Sequence, residues 1–536
     1  MVKKLFFITL LYYCTCLNVI QAQDHVDANQ LFCRVLEEGS KQPILYATVK
    51  FIGTNRGLIS DDRGEFRLPL DLNTIEKIEI SSIGFGTKEI SVKELRKDQI
   101  NIIYLKSKVE ELDAVALVLK KKKLPQPSAE EIVAKALRRI PMNYPKTPFS
   151  YIGYYRDYQQ PADDSYSKLY KGKGSVQYVN LNEGIIEVFD AGFGTDYFGD
   201  NKNQTLLYSY GRNATFIQDS TLSVPYDNDK KKYLKDVTIS PLGGNELSVL
   251  NITDILRNHD KVTFSFVDMF DKDFMKNHFF TLEGLSYLGD IPIYKIGFLT
   301  EAKIAGTLHY GKGKIYISKE NYAIHKFNYE MYEKDKEIKK SPLYAATLEY
   351  KDINGKMYLN YLTFNNKFQA NSDHYFKVKK TVFDEEDLFF DVYFNRKFDK
   401  KTISSKKNRF KIEYTYKQEK INVKEVLIFD DYVRVLIDKN QLLSSPDFNK
   451  STLKRDLRLT IKNIKDIDGN LLDKIPSVKV NQYREIFVQE VFPGKKVDKR
   501  LKVMNKYAPL LESEINPLEE KEKYWVNTPL KRNRNN

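Results

Sequence analysis

The sequence predicts a mainly β protein, in which a small N-terminal β-sandwich precedes a large antiparallel β-rich domain with a few helices. Strand-like segments bounded by turn residues recur roughly every 8–12 residues, as in antiparallel proteins. Tyr (36) and Phe (32) are abundant, and both residue types favour strands. Within Tyr46–Leu68, Ala47, Val49 and Phe51 alternate with polar residues, which is the period of a half-buried strand.

The stretch Tyr46–Leu68 also contains the first hairpin of the predicted sandwich. Phe66 and Leu68 alternate with polar residues on its second strand. The cluster Asp61-Asp-Arg-Gly64 lies between the strands as a loop, where Gly64 supplies the positive φ of the turn. Further strands follow around Ile78 and Ile80, and at Ile100, Ile102 and Tyr104.

A family resemblance rests on residues spread over this region. They are Pro43-Ile-Leu-Tyr-Ala-Thr-Val49, Gly53-Thr54, Ser60-Asp-Asp-Arg-Gly-Glu-Phe66 and Ser82-Ile-Gly-Phe85. Together they resemble the carboxypeptidase regulatory-like domain over residues 30–106. The resemblance implies a seven-stranded transthyretin-like β-sandwich, common at the N-terminus of envelope proteins of Bacteroidota-type bacteria. It implies no catalytic residues, because this domain is an accessory to the peptidase that gives it its name.

Local signals divide the chain into five segments. They are a signal peptide at 1–22, the sandwich at 30–107, a linker at 108–127, a large antiparallel β domain at 128–430, and a C-terminal α+β extension at 431–536 with a disordered tail. Lys120–Lys123 and the prolines of Leu124–Pro127 mark the linker, because like charges repel and prolines stiffen the chain. In the extension, Asn516-Pro517 predicts the start of a short helix that ends at Trp525.

The large domain opens with a predicted helix. Ser128-Ala-Glu-Glu131 is a capping box, apolar residues follow at helical spacing, and Pro141 is expected to end the helix. The passage Asn143–Arg156 is similar to the start of the second domain in envelope proteins that begin with the same sandwich. A helix is also expected within Asn245–Asn258. Strands are predicted at Ser150–Tyr158, Lys168–Val179, Val262–Val267, Phe279–Leu288, Ile293–Leu299, Lys314–Ser318, Ala323–Tyr332, Ala346–Tyr350, Tyr358–Phe364, Tyr375–Phe383, Phe410–Tyr416, Val433–Ile437, Asp456–Lys462 and Arg484–Phe492.

The N-terminus predicts export. Met1–Lys4 is basic and Leu5–Ile20 is apolar, so we expect a secretory signal peptide that is cleaved after Ala22. The alternative is a lipoprotein signal in which Cys14 or Cys16 is lipidated. No later stretch reaches ~18 consecutive apolar residues, so no transmembrane helix is expected after the signal peptide.

Charge and cysteine content narrow the possible partners. The formal net charge is +14, but lysines are interspersed with Asp and Glu, which indicates a solvated basic surface. We therefore expect no nucleic-acid partner, whereas peripheral association with anionic lipid is compatible with the charge. Cys33 is the only cysteine left after cleavage, which excludes an internal disulfide and a thiolate zinc cluster. We expect Cys33 to be a small buried core residue.

The histidines do not predict a metal site. His25, His259, His278, His309, His325 and His374 do not occur in the spacings of zinc peptidases. His309 and His325 fall on candidate neighbouring strands, from which they could pair across a sheet, but a metal site there would need a third ligand that the sequence does not supply. The sequence also contains no Gly-x-Ser-x-Gly elbow, Walker loop or Gly-x-Gly-x-x-Gly motif. The sequence therefore predicts no catalytic, cofactor-binding or metal-ligating residue, and it predicts no cofactor.

Acidic clusters are the remaining candidates for chemistry. A glycosidase needs two facing carboxylates, and the clusters are expected to be solvated turns instead. They are Glu110-Glu111, Asp163-Asp164, Asp384-Glu-Glu-Asp387 and Asp430-Asp431. Asp227-Asn-Asp229 and Asp466-Ile-Asp468-Gly469 partly match a calcium loop, but both lack its terminal Glu.

The leading hypothesis is an exported, non-enzymatic cell-envelope protein that binds or scaffolds a protein, glycan or lipid partner at the periplasmic side of the outer membrane. One alternative is a hydrolase whose residues meet only in the folded chain. A second is a carrier of an acyl chain or lipoprotein, because Gly313-Lys-Ile-Tyr-Ile317 and Tyr322-Ala-Ile-His325 resemble the half-barrel of periplasmic lipoprotein carriers. A third is an outer-membrane β-barrel, which needs spanning strands of ~9–11 residues with an apolar outer face.

Overall fold

The structure is a computed structural model of the chain. It describes residues 30–69, 75–111, 127–169, 178–190, 204–212, 222–223, 246–254, 256, 274–300, 309–333, 342, 344–403, 407–414, 419–446, 448–505, 508–520, 523–524 and 526–528. The predicted strand at Val262–Val267, the cluster Asp227–Asp229, the signal peptide and most of the linker lie outside these residues. In the described part of the chain no helix is long and apolar enough to cross a membrane.

The N-terminal unit is the expected seven-stranded sandwich. Its strands are β1 (Gln30–Glu37), β2 (Thr48–Phe51), β3 (Gly57–Ile59), β4 (Glu65–Pro69), β5 (Lys77–Ser81), β6 (Lys88–Ser91) and β7 (Ile100–Leu105). One sheet has the order β4-β1-β7 and the other β3-β2-β5-β6. Cys33 is buried in the core between them, and Gly64 has φ +72° in the predicted turn.

The closing strand β7 has the predicted position, and alternate residues of it face the core. Ile103 and Leu105 are buried in the sandwich core, whereas Ile100 and Ile102 are exposed. The reason is its parallel pairing with β1, which sets Ile103 opposite the buried Val35. Because side chains alternate along a strand, the register chosen by the partner decides which residues face the core.

Helix α1 (Ala129–Asn143) confirms the predicted capping box. The Ser128 side chain accepts a hydrogen bond from the backbone N–H of Glu131, and the Glu131 carboxylate accepts one from the N–H of Ser128. Pro141 does not end the helix as predicted, since it lies in the last turn. A proline near the C-terminus removes one intrahelical hydrogen bond without interrupting a following turn.

A large antiparallel sheet forms the centre of the molecule. Its described strands are β8 (Val109–Glu111), β9 (Phe149–Pro161), β10 (Asn180–Asp190), β11 (Gln204–Arg212), β12 (Leu222–Ser223), β13 (His278–Leu288), β14 (Ile291–Thr300), β15 (His309–Ser318), β16 (Ile324–Glu333), β17 (Tyr344–Ile353), β18 (Lys356–Ser372) and β26 (Ser477–Pro493). The order is β11-β10-β9-β26-β18-β17-β16-β15-β14-β13-β8, and β12 pairs with β18.

The two faces of this sheet have different coverings. The inner face, which includes Phe327 and Leu348, packs against helix α1 and against helix α3 (Glu246–Thr253). The outer face, which includes Tyr361 and Phe487, packs against the sandwich and against the C-terminal segment. Helices α2 (Ser165–Leu169) and α4 (Phe274–Asn277) are short. Helix α3 lies within Asn245–Asn258, so the helix expected there is confirmed.

A separate unit is inserted between β18 and β26. It contains β19 (Val378–Asp384), β20 (Phe389–Phe394), β21 (Phe410–Tyr414), β22 (Lys420–Ile421), β23 (Val423–Ile428), β24 (Tyr432–Ile437) and β25 (Leu457–Ile461), with α5 (Lys439–Ser444) and α6 (Leu453–Asp456). Its sheets have the orders β19-β20-β24-β23 and β22-β21-β25 around a core of their own. The sheets therefore cross the boundary predicted at residue 430, and β26 returns to the centre of the large sheet.

Several local predictions differ from the structure. The segment predicted as a strand at Lys168–Val179 begins inside α2, and its residues 170–177 lie outside the described residues; β10 and β11 were missed. The interior of β10 is buried on both faces and carries the buried Glu187, so the alternation typical of a half-buried strand is absent. The strands β20 and β23 of the inserted unit were also missed.

No helix begins at Asn516-Pro517 in the described residues of this segment. Asn516 instead donates from its side-chain amide to the carbonyl of Lys502 and accepts from the N–H of Lys502. Its own N–H donates to the carbonyl of Leu207 at 2.7 Å. The bond to Leu207 fastens the C-terminal segment to β11, and the bonds to Lys502 connect two parts of that segment. Together they replace the helix cap that the dipeptide predicted.

Candidate binding surface

Tyr46 is the residue through which the sandwich anchors on the outer face. Its backbone has φ +54°, in the left-handed region that a non-glycine residue rarely adopts. The ring centroid lies 5.1 Å from that of Tyr361 and 6.2 Å from that of Phe487. The phenol donates a hydrogen bond of 3.3 Å to the carboxylate of Glu485. Tyr46 therefore joins the sandwich to both apolar and charged groups of the sheet.

Glu485 belongs to one of two neighbouring buried ion pairs at the centre of the sheet. Arg156 on β9 lies opposite Glu485 on β26, and Asp157 lies opposite Arg484. Arg156 forms a salt bridge with Glu485 on the outer face, and Arg484 lies 3.5 Å from Asp157 on the inner face. All four residues are buried. Burial raises the pKa of Glu485 and raises the pKa of Asp157 to about 7, although the facing arginines oppose both shifts.

A second polar contact lies beside the first. The amide of Asn360 donates to the Thr48 hydroxyl at 2.7 Å, and that hydroxyl donates to Glu349 at 3.4 Å. Glu349 also forms an ion pair of 3.2 Å with Lys326. This contact connects strand β2 of the sandwich with strands β16, β17 and β18 of the sheet.

Backbone contacts complete the attachment. The N–H of Gly84 donates to the carbonyl of Tyr287 at 2.9 Å. Isolated bridges join Phe85 to Leu288 and Arg56 to Glu490. Because these contacts come from separate loops of the sandwich, they fix both its position and its orientation on the sheet.

A cavity of about 380 Å³ remains between the sandwich and the sheet. It lies where three hairpins of the sheet end, beside the hairpin of β2 and β3. Two lysines line it from opposite sides, Lys50 on β2 and Lys351 on β17. Burial, together with the neighbouring charge of Lys50, lowers the pKa of Lys351 to about 8.

His325 lines the same cavity and is 3% exposed. Its Nδ1 atom has no hydrogen-bond partner among the residues that the structure describes. Burial lowers the pKa of His325 to about 4, so the imidazole is neutral at pH 7. This ring can therefore offer one donor and one acceptor without adding a charge.

Beyond the sandwich, the outer face opens into a shallow groove of about 890 Å³. We call it the open groove. Its lining comes from strands β13 to β16. The lining residues are Phe279, Thr281, Glu283, Gly297, Phe298, Leu299, Lys312, Gly313, Lys314, Tyr316, Lys326, Asn328 and Glu330.

Two large apolar side chains in the open groove face solvent. Phe279 is 58% exposed and Leu299 is 49% exposed. They lie directly opposite each other on β13 and β14. Charged residues border them, because Glu283 forms ion pairs with Lys314 at 3.0 Å and with Lys295 at 3.2 Å.

A glycine makes room for this arrangement. A Cβ atom at Gly297 would lie 2.5 Å from the Glu283 carboxylate, so the absence of a side chain lets Glu283 cross the strand. Lys312 and Glu330, 3.6 Å apart, form a further ion pair in the groove. The result is a polar, ion-paired surface around one apolar pair.

The structure separates the two histidines that neighbouring strands could have brought together. β15 and β16 are neighbours, as predicted, but they form an antiparallel hairpin in which His309 pairs with Glu333. His325 lies at the other end of the hairpin, eight strand positions or about 27 Å away. The neighbouring strands are confirmed, but the antiparallel register places the two histidines at opposite ends of the hairpin, so they do not pair.

The other histidines have different environments. His278 is buried in the core, where its ring nitrogens lie 3.1 Å from the Phe274 carbonyl oxygen and 3.2 Å from the Tyr329 hydroxyl. His374 is exposed in a loop. His25 and His259 lie outside the described residues. Within the described residues no group of three His, Cys, Asp or Glu side chains could hold a metal ion.

The acidic clusters occupy turns where they are described. Asp384 accepts hydrogen bonds from the backbone N–H groups of Glu386 and Asp387. Asp163 accepts one from Ser165, and Asp430 forms an ion pair with Lys400. Asp466 accepts from the N–H groups of Asp468 and Asn470, so it stabilises a tight turn. The side chains of Glu110 and Glu111 lie outside the description.

The residues that carry the site were not singled out by sequence. Arg156-Asp157 and Arg484-Glu485 are charged dipeptides inside otherwise apolar strands, and that pattern is a usable signal for buried ion pairs. Lys50, Lys351 and the apolar pair of the open groove resemble many other strand residues. Only their positions in the folded chain distinguish them.

Comparison with known proteins gives a family for the N-terminal unit. No curated protein matches the chain. A crystal structure of a DUF1329 family protein from Desulfovibrio piger ATCC 29098 is similar over 45% of this chain and 87% of that chain, with 12% sequence identity and a TM-score of 0.21. Residues 33–117 match the family described as CarboxypepD_reg-like domain, so the N-terminal sandwich has the predicted family resemblance.

Proposed function

We propose that this chain is an exported, non-enzymatic envelope protein that binds a protein partner in the open groove of its large sheet. The observation that carries the proposal is the division of the outer face. The sandwich covers one part of that face, and the part next to it presents an exposed apolar pair, Phe279 and Leu299, within a border of ion pairs. A small apolar centre surrounded by polar groups is the usual anatomy of a protein–protein contact.

The outer face is favoured over the inner face. The described inner-face residues, such as Phe327 and Leu348, are buried and packed in one core with Ile132 and Val133 of helix α1. An acyl chain carried on the inner face would have to occupy the space that these packed side chains already fill. The open groove needs no rearrangement, because its apolar residues already face solvent.

The role of the sandwich in this proposal is to support the groove. It is joined to the sheet at Tyr46, Thr48 and Gly84. These contacts hold the neighbouring strands in one arrangement, so the groove is presented as a preformed surface. A preformed site loses less conformational entropy on binding.

Site-specific photo-crosslinking in the source bacterium tests the partner. A photoreactive phenylalanine at position 279 is expected to crosslink one envelope protein, whereas the same group at Leu443, an exposed position on α5, is not. The purified partner should then bind the double variant Phe279→Ser/Leu299→Ser at least about tenfold more weakly than the wild type, because interface anchors typically contribute 1 kcal/mol or more. Leu443→Ser is the matched control. Equal binding by the wild type and the double variant, or crosslinking to glycan or lipid alone, would overturn the proposal.

The proposed location is tested separately. Cell fractionation combined with mass spectrometry of the N-terminus is expected to find a mature chain that begins at Gln23 in the envelope fraction. A mature chain that begins with a lipid-modified Cys14 or Cys16 would show instead that the signal peptide is a lipoprotein signal. A chain that retains Met1 in the cytoplasmic fraction would contradict export.

A further inference from the structure

We infer that the cavity between the sandwich and the sheet is a binding site for a small organic anion, with Lys50 and Lys351 as its cationic ligands. This cavity and the open groove share no lining residue. The ion pair between Glu349 of the cavity and Lys326 of the groove links them directly. The two proposals can therefore fail independently. Three features of the cavity support a ligand of this kind: its charged side chains, an unpaired polar atom of His325, and the apolar residues of its walls.

The first feature is the pair of lysines. Lys351 is half-buried, lies near Lys50, and forms no ion pair or hydrogen bond with the described residues. Lys50 is exposed, and its charge acts on the half-buried Lys351, so the two ammonium groups repel each other and an anion between them would relieve that repulsion. Such an arrangement in a cavity between two units indicates a ligand of opposite charge.

The carboxylates around the cavity are mostly engaged elsewhere. Glu349 forms an ion pair with Lys326 and accepts from Thr48. Asp352 accepts a 2.8 Å hydrogen bond from the N–H of Gly355 in its own hairpin turn. Glu79 lies opposite Lys50 in the pairing of β2 with β5 but forms no ion pair with it among the described residues.

Two further charged groups have partners, namely Arg56, which lines the cavity, and Glu490. Arg56 donates to the carbonyl of Lys523 and lies over the ring of Tyr524. Glu490, whose charge acts on Lys351, accepts a hydrogen bond from the Tyr524 hydroxyl. The ionised side chains that line the cavity are three cations, Lys50, Arg56 and Lys351, and three carboxylates, Glu79, Glu349 and Asp352. Because Glu349 is already paired with Lys326, one positive charge remains in excess.

The second feature is the unpaired Nδ1 atom of His325. A buried polar atom without a partner costs free energy, so such atoms usually have a partner in the functional state. A neutral imidazole can donate a hydrogen bond to an oxyanion or accept one from a hydroxyl of the same ligand. His325 thus supplies a directional contact, while the lysines supply charge.

The third feature is the apolar part of the walls. Val49 and Leu58 come from the sandwich, and Leu288, Ile291 and Val488 come from the sheet. A volume of about 380 Å³ lies in the range of small-molecule sites. The site therefore fits a compact ligand in which a carboxylate or phosphate group is attached to a small apolar body.

Calorimetric titration of the full mature chain tests this inference with four probes: phenyl phosphate, benzoate, inorganic phosphate and the neutral benzyl alcohol. Phenyl phosphate or benzoate is expected to bind more tightly than inorganic phosphate, and benzyl alcohol is expected not to bind. Lys351→Met and Lys50→Met should each weaken binding about tenfold, which corresponds to the loss of one charged contact. Lys93→Met, an exposed lysine of the same sandwich outside the cavity, should leave binding unchanged.

A second measurement does not depend on the stability of the variants. Bound anion is expected to raise the pKa of Lys351 from its lowered value, which isotope-labelled lysine NMR of the wild type detects as a shift of one titration to higher pH. The inference is overturned if no anionic probe binds the wild type up to ~10 mM, if benzyl alcohol binds as well as the anions, or if all three lysine variants bind equally. Inorganic phosphate binding as tightly as phenyl phosphate would overturn the apolar part of the proposed ligand.

Discussion

At the scale of single residues, the centre of the sheet depends on charges that are buried in pairs. Arg156 and Asp157 are neighbours on β9, and they face Glu485 and Arg484 on β26. Because successive side chains point to opposite faces, each face receives one arginine and one carboxylate. Two like charges on one face would have been strongly unfavourable. The sequence order of the two dipeptides therefore matches the antiparallel register.

Removing one member of the outer pair should destabilise the protein strongly. Glu485→Gln leaves the buried Arg156 without its counterion, and we expect a loss of about 3–5 kcal/mol in the free energy of unfolding. The double variant Arg156→Met/Glu485→Leu should recover most of this loss, because it leaves no unpaired charge. Denaturant unfolding measures both. As a control, Lys400→Met breaks the exposed pair with Asp430 and should cost far less than Glu485→Gln, because water screens that pair. Equal effects at the two sites would contradict the argument.

Buried histidines make stability depend on pH. Burial lowers the pKa of His325 to about 4 from its ordinary value of 6.5. Between these values the unfolded chain binds a proton that the folded chain does not, so stability is lost as the pH falls from 6.5 to 4. His325→Gln should reduce the slope of unfolding free energy against pH in this window, by up to about 1.4 kcal/mol per pH unit.

The exposed His374 provides the matched variant. His374→Gln should leave the slope as in the wild type. Urea titrations at several pH values measure all three proteins. An unchanged slope in His325→Gln would show that His325 is protonated in the folded state within this window.

At the scale of elements, turns and caps set the strand pairs. Asn354 and Gly355 have φ +54° and +78°, and they form a two-residue turn between the paired Ile353 and Lys356. Positive φ at both central residues is the type I′ geometry that Asn-Gly favours in hairpins. This turn fixes the register of β17 with β18, which carry Glu349 and Asn360 to the sandwich.

The capping box of helix α1 gives an element-scale prediction. Ser128→Ala removes the acceptor for the N–H of Glu131 and should lower the free energy of unfolding by about 1 kcal/mol. Ser91, which precedes a single 3-10 turn and makes no side-chain cap bond, is the control. Ser91→Ala should cost less than about 0.5 kcal/mol. A Ser128→Ala cost no larger than that of Ser91→Ala would exclude a contribution of the cap to stability.

At the scale of the whole molecule, the sandwich and the sheet are expected to unfold together. Their contact combines the aromatic group of Tyr46, Tyr361 and Phe487 with the hydrogen bond from Tyr46 to Glu485. A contact of this kind couples the stability of two units, because neither keeps its buried surface when the other unfolds.

Tyr46→Ala should uncouple them. It removes the ring from the contact, and we expect a loss of about 3 kcal/mol together with a separate, earlier transition of the sandwich in calorimetry. The neighbouring Leu45 is 48% exposed, so Leu45→Ala should leave a single transition. Two resolved transitions already present in the wild type would contradict coupling through Tyr46.

Local patterns determined much of the fold. Alternation predicted the strands around Val49, Ile296 and Val435, and the capping box located the start of helix α1. Residues Pro43–Phe85 were sufficient to identify the family of the sandwich. These signals are encoded within a few residues, since a strand period, a turn or a cap depends on near neighbours in the chain.

The tertiary structure alone decided which distant segments meet. Glu485 and Arg156 are separated by 329 positions, yet they form one salt bridge because β26 pairs with β9. The cavity likewise brings together Lys50, His325 and Lys351, which come from three segments of ordinary composition. Long-range pairing, and the removal of water that lowers the pKa of Lys351 and His325, arise only when these segments pack against one another, so no short stretch of sequence encodes them.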